Sequence, residues 1–267
     1  MRTRTAYVAF ETAASPALSI AGKLCLPMGA AARSDSLAAV LICHGSDGVD
    51  GRGDFHAPFL HAAEIATLEI DMWAARGTTR GAGARPGSPV ETVPDAFAAL
   101  RFLADQPEID PKRIGVMGFS WGGVVSLLSA TRRYAPRGVE PAFAAHAALY
   151  PVCWAYSRVA ALALTDLTGA PILLQTGDAD AYDAADAGER LAATLRASGA
   201  DVTGVVHRGA THGFDRDLPA QTIEDPFAHE GAGGRVLMEF NAAAAAAARD
   251  ENSRFFRRAL APTLSRL

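Results

Sequence analysis

The chain has no uninterrupted apolar stretch of about 18 residues, the length a helix needs to cross a bilayer. No membrane association is therefore expected. Its amino-terminal Met-Arg-Thr-Arg-Thr-Ala-Tyr runs into alternating polar and apolar residues, without the hydrophobic core and small-residue cleavage site of a secretory signal. Cysteine is scarce: Cys25, Cys43 and Cys153 are odd in number and widely spaced, cannot complete a disulfide framework and lack metal-ligand spacing. Reduced thiols and a cytoplasmic location are expected, with no metal site. Basic blocks are missing as well. With 25 Lys and Arg against 29 Asp and Glu, the formal net charge is −4, which argues against a nucleic-acid partner. Internal repeats and long linkers are also absent, and nothing in the sequence reports an oligomeric state.

What is present fits one α/β domain spanning residues 1–267. Apolar residues make up 49% of the chain and charged residues 20%, the balance of a compact globule and not of a disordered chain. Tyr7–Glu11 and Leu18–Leu26 read as an opening antiparallel pair. Ala38–Cys43 is a continuous apolar run, as a strand buried on both faces requires. Ala57–Ile65 reads as helix, Thr67–Ile70 as strand, the Gly- and Arg-rich Gly77–Pro86 as loop, and Val93–Asp105 as helix. Ala142–Tyr150 and Pro171–Thr176 read as further strands, Ala184–Ser198 as an amphipathic helix, and Asp201–His207 as the last strand. Phe240–Leu260 closes the chain as a helix whose alanine run reflects helix propensity. Alternating strands and helices with right-handed crossovers predict a mostly parallel sheet covered by helices on both faces.

The most informative stretch is Arg113–Ser129, where an apolar strand runs into Gly118-Phe-Ser-Trp-Gly122 and then directly into a helical pattern. Such a strand-to-helix elbow holds its serine in a strained turn at the carboxyl edge of the sheet, and flanking glycines keep neighbouring chain clear of it. The new helix presents its first N–H groups there, which favour a developing negative charge. Ser120 is the candidate nucleophile. A serine hydroxyl needs a base and an orienting acid, and both lie downstream. Asp178, Asp180 and Asp183 compete for the acid, in the loop after the buried strand that begins at Pro171. His212, in Gly209-Ala-Thr-His-Gly-Phe-Asp215 beyond the last strand, is the candidate base. His207 reads as a structural strand-edge residue, and His56, His61, His146 and His229 lack a nearby nucleophile signature.

At this point the chain resembles the dienelactone hydrolase family of the α/β-hydrolase fold. The resemblance covers most of the chain and rests on His44-Gly-Ser-Asp-Gly-Val49, Ile70-Asp-Met-Trp73, the G-F-S-W-G-G elbow, Tyr150-Pro-Val-Cys153, Gly177-Asp-Ala-Asp180 and His212-Gly-Phe214. It implies an α/β-hydrolase fold, a mostly parallel central sheet with an antiparallel N-terminal pair and no large lid domain. It selects Asp180, the last residue of the family's G-x-x-D segment, as the acid. It also implies an oxyanion hole from the backbone N–H groups of Ser46 and Trp121. Founding members use cysteine where this chain has Ser120, and glutamate at the loop position of Gly45, so a substrate-activated thiol is not expected and dienelactone becomes a doubtful substrate. Arg216 and Arg76 lie close to where the family places arginines that hold a substrate carboxylate. Trp73, Trp154, Tyr156, Phe214 and the Gly77–Pro86 loop are candidate pocket walls. The implied activity is serine hydrolysis of a small ester or lactone without cofactor. Acyl transfer or thioester hydrolysis by the same triad, a peptidase, and a non-catalytic receptor on the same scaffold are the alternatives.

Overall fold

The computed structural model describes residues 2–13, 16–28, 36–78, 85–135, 138 and 140–262. The expected strand-turn punctuation becomes one eight-stranded sheet built on buried apolar strands. Its strands are β1 (Thr3–Glu11), β2 (Ser19–Pro27), β3 (Leu37–Cys43), β4 (Ile65–Asp71), β5 (Ile109–Phe119), β6 (Ala145–Leu149), β7 (Ile172–Gly177) and β8 (Val202–His207). The spatial order is β1-β2-β4-β3-β5-β6-β7-β8. The β1–β2 and β2–β4 pairs are antiparallel and the remaining pairs parallel. All residues of β3, β6 and β7 are buried, as strands covered on both faces must be. β1 lies at the edge and alternates exposed with half-buried residues.

Helices α1 (Gly51–Ala62), α2 (Val93–Ala104), α3 (Trp121–Ser129), a single turn α4 (Ala155–Arg158), α5 (Ala187–Ala197), a second short turn α6 (Ala228–Gly231) and α7 (Ala242–Ala259) complete the chain. Apolar residues of α2, α3 and α5 pack in one buried cluster, and those of α1 and α7 pack in another. The sheet is thus covered on both faces, in agreement with the expected architecture. No helix among the described residues is long and apolar enough to cross a membrane.

Two differences from the sequence reading matter for the site. Helix α1 begins at Gly51, capped by the Asp50 carboxylate accepting from the Arg52 N–H, six residues before the expected start. Gly51, Gly53 and Pro58 hide this helix in the sequence, and Gly53 lets the Glu69 side chain pack close to it. A Cβ there would come within 2.0 Å of the Glu69 carboxylate, which packs against the helix. Second, β8 is the last strand of the main sheet but not of the chain. Strands β9 (Gln221–Asp225) and β10 (Gly234–Met238) form an antiparallel hairpin between His212 and α7. This hairpin packs over the carboxyl edge of the sheet through Val236, Met238 and Ile223, which cluster with Tyr182.

Candidate active site

Strand β5 delivers Ser120 into α3 with φ 51° and ψ −111°. That positive φ is costly for a residue with a side chain and persists because the surrounding backbone fixes it. The Ser120 N–H donates to the Leu149 carbonyl on β6 (2.9 Å), and its carbonyl accepts from Val124 (3.0 Å). Glycines on both sides are obligatory. A Cβ at Gly118 would stand 2.2 Å from the Gly122 carbonyl group, and one at Gly122 would stand 2.1 Å from the Cys43 carbonyl oxygen on β3.

The three chemistry-bearing residues meet at this elbow. His212 Nε2 lies 2.8 Å from Ser120 Oγ, and His212 Nδ1 lies 2.7 Å from Asp180 Oδ2. An ionised carboxylate can only accept, so Nδ1–H donates to Asp180 and Nε2 is left to take the serine proton. The other Asp180 oxygen accepts from the Tyr182 N–H (2.9 Å). Tyr182 and Tyr150 pack against the imidazole, with ring centroids 4.3 and 4.9 Å away. Both His212 and Asp180 are buried.

The neighbouring aspartates have other partners. Asp178 accepts from the Gly209 N–H (2.6 Å). Asp183 accepts from the N–H groups of Cys153 (2.6 Å) and Trp154 (2.7 Å), fixing the turn after β6. Burial pushes the Asp183 carboxyl up to about 6, against the lowering effect of those two donors.

Beneath His212, a buried polar chain crosses the molecule. Asp215 accepts from the Tyr150 hydroxyl and bonds His56 Nε2 (2.9 Å). His56 Nδ1 accepts from Asn252 (3.2 Å), Asn252 accepts from Gln175 (2.9 Å), and Gln175 accepts from His207 (2.9 Å). Burial opposes the Asp215 charge, but the His56 bond and nearby Arg52 hold its carboxyl below the usual range. His207 is thus structural, as expected.

The Gly45–Ser46 loop faces the elbow. Ser46 and Trp121 line the same cavity as Ser120. As the first residue of α3, Trp121 has an N–H with no earlier helical carbonyl to bond. The loop is fixed from behind: the Trp73 indole donates to the Ser46 carbonyl (3.0 Å) and packs edge-on to Trp121, whose own indole donates to Thr92 (2.9 Å). His44 accepts from the Met72 N–H (2.9 Å), and burial lowers its pKa to about 4, so this imidazole is neutral near pH 7.

The sequence model of the dienelactone hydrolase family matches residues 78–260. The chain belongs to that family. An uncharacterized protein of Mycobacterium tuberculosis is 35% identical over 97 residues, covering 36% of this chain and 32% of that protein. The match thus spans about a third of that relative's length. Among solved structures, esterase 2 of Thermogutta terrifontis superposes with a TM-score of 0.69 at 15% identity, covering 97% of this chain and 96% of that one. A dienelactone hydrolase of Anabaena variabilis superposes with a TM-score of 0.61 at 19% identity, covering 97% and 99%. These likenesses concern the fold.

Within this frame the three residues expected to touch substrate take other positions. Trp73 is buried behind Ser46. Phe214 is wholly buried in the core against Tyr150 and His207. Arg216 is paired with Asp47 (2.7 Å) and Asp50 (3.6 Å). Among the described residues, neither of the two cavities that border Ser120 is lined by any of the three. Arg76 is likewise held, by Asp95 (2.7 Å) and the Met72 carbonyl (2.8 Å). Trp154 and Tyr156 bond the carbonyls of Phe227 and Pro151. At Gly45, a Cβ would come within 3.0 Å of the Arg52 guanidinium and 3.2 Å of the Phe119 carbonyl, so no room is left for a glutamate there without a shift.

Part of the Gly77–Pro86 loop, 79–84, lies outside the described residues, but its end supplies what sequence reasoning missed. Arg85 reaches back to Ser46 Oγ (3.0 Å) and to both oxygens of Asp225 (3.0 and 2.9 Å). Asp225 also accepts from the Tyr182 hydroxyl (2.8 Å). Burial opposes the Asp225 charge, yet Arg85, the Phe227 N–H and Tyr182 hold its carboxyl below the usual range. The sequence signal was weak: Thr222-Ile223 and Val236-Leu237 have strand character, but Gly231, Gly233 and Gly234 interrupt so short a pattern. Among the described residues no His, Cys, Asp and Glu cluster is arranged to hold a metal ion.

Proposed function

We propose that the chain hydrolyses carboxylic esters or lactones through an acyl-enzyme on Ser120, with His212 as general base and acid and Asp180 orienting it. The observation that carries this reading is the continuous hydrogen-bonded line Ser120–His212–Asp180, at 2.8 and 2.7 Å, on a strained elbow that faces a cavity. His212 Nε2 takes the Ser120 proton as Oγ bonds the carbonyl carbon. The oxyanion that forms is held by the N–H groups of Ser46 and Trp121, each such donor being worth about 3 kcal/mol in the transition state. The carbon–oxygen bond to the alcohol then breaks, and the alkoxide leaves with the proton from imidazolium His212. Water repeats the attack with His212 again as base, returning the carboxylic acid and free Ser120.

The test is intact-protein mass spectrometry after brief exposure to a fluorophosphonate, alongside turnover of p-nitrophenyl acetate and butyrate. Esterase 2 of Thermogutta terrifontis, which shares the fold, is known phosphorylated by paraoxon, so an organophosphorus probe suits this architecture. The expected result is one adduct on Ser120, and loss of about a millionfold in kcat in Ser120→Ala and in His212→Ala. A folded protein with neither adduct nor turnover would refute the reading.

A further inference from the structure

Ser120 stands between two cavities of different character. One, of about 180 Å³, contains His212 and is walled by Asp47, Arg52, Glu224, Asp225 and Met238. The other, of about 230 Å³, contains Trp121 and is walled by Val124, Val152, Ala155, Val159 and Leu162. Ser46, Arg85, Ser120 and Tyr182 border both. The dividing wall is Arg85, whose guanidinium lies over the rings of Trp121 (5.7 Å) and Phe227 (5.2 Å).

We propose that the apolar cavity takes the acyl group and the charged cavity the departing alcohol, so that the substrate class is esters of short aliphatic acids with polar alcohols. This assignment rests on the hydrolase reading above. Its argument is the path of one proton. The oxygen that leaves must collect the proton that His212 Nε2 took from Ser120, so the alcohol lies on the side of Ser120 where His212 stands. The carbonyl oxygen points to the Ser46 and Trp121 N–H groups, and the acid's carbon chain is left the direction away from His212. That direction is the cavity walled by aliphatic side chains, where methylene groups leave water favourably. The alcohol side is walled by three carboxylates and two guanidinium groups, which favour a group with hydroxyls over a hydrocarbon. A cavity of about 230 Å³ walled by aliphatic side chains suits a short acyl chain such as hexanoate.

The experiment compares kcat/KM across p-nitrophenyl esters from acetate to decanoate, and between the hexanoate esters of glycerol and hexanol. The wild-type profile is expected to peak near hexanoate and to favour glycerol over hexanol. Val159→Phe, which narrows the apolar cavity, should lower the hexanoate-to-acetate ratio about tenfold. It should also change the deacylation rate, a step in which the alcohol has already left. Ile223→Phe, on the opposite side, should change the glycerol-to-hexanol ratio and leave the acyl-length profile where it was. Circular dichroism of both variants separates these effects from misfolding, and the half-buried Leu164→Ala outside both cavities controls for general loosening. A flat acyl profile, or one moved by Ile223→Phe and not by Val159→Phe, overturns the assignment while Ser120 labelling leaves the hydrolase reading standing. Loss of that labelling in the folded wild type overturns both.

Discussion

Asp178, Asp180 and Asp183 share one short loop, and only their partners tell them apart. Composition and spacing could not choose among them; the family resemblance singled out Asp180, which is the one hydrogen-bonded to His212. Asp180→Asn is expected to lower kcat by about ten-thousandfold, since an amide no longer fixes the imidazole tautomer. Asp178→Asn should have little effect. Asp183→Ala should act on stability, by about 1–3 kcal/mol for each backbone N–H it leaves unpaired. Steady-state kinetics and thermal unfolding of the three variants check this, and the ranking fails if Asp178→Asn costs more turnover than Asp180→Asn. Ser120 was legible because an elbow is local: strand, glycines and helix lie within one run of sequence. Arg85 was not, because its importance comes from Asp225 and Ser46, distant in the chain and close only after folding.

Among the elements, the strands buried on both faces were the easiest to read, since covering by helices demands the continuous apolar runs seen in β3 and β7. The start of α1 and the β9–β10 hairpin were hidden, the first by glycine and proline, the second because the apolar residues its strands bury are few, Val236 and Met238 with Ile223 half-buried. The hairpin is held instead by polar contacts, with Asp225 receiving Arg85, Tyr182 and the Phe227 N–H. Asp225→Ala would strand the largely buried Arg85 guanidinium, at a cost of about 3 kcal/mol. The expected outcome is a lower melting temperature and faster amide exchange confined to residues 221–238. Unchanged exchange there would show that the apolar contacts alone hold the hairpin.

For the molecule as a whole, buried groups other than Ser120, His212 and Asp180 contribute to how stability varies with pH. Burial against α1 pushes the Glu69 carboxyl up to about 7, with Lys23, 3.5 Å away, working in the opposite direction. A raised carboxyl contributes stability that is complete below its unfolded value near 4.5 and is lost as pH climbs through about 7. His44 and His146, both lowered to about 4 by burial, oppose this: their contribution is present above 6.5 and is lost as pH falls toward 4. The Glu69→Gln variant isolates the first effect. Its stability relative to wild type, from urea unfolding, should rise by about 3 kcal/mol between pH 4.5 and 7. A difference that stays constant across that range would show that the Glu69 carboxyl titrates alike in the folded and unfolded chains.

The buried chain from Asp215 to His207 has one further consequence, for helix α7. Its first half presents Ala244, Ala245 and Ala248 to the sheet, and alanine methyl groups offer a low-relief surface on which one turn resembles the next. Asn252 breaks that sameness, because its amide meets Gln175 on one side and His56 on the other. Sliding the helix by one turn would leave those buried groups without partners, at about 1–3 kcal/mol each. A single asparagine thereby serves as an alignment pin, and the docking of the last helix is read out against the first.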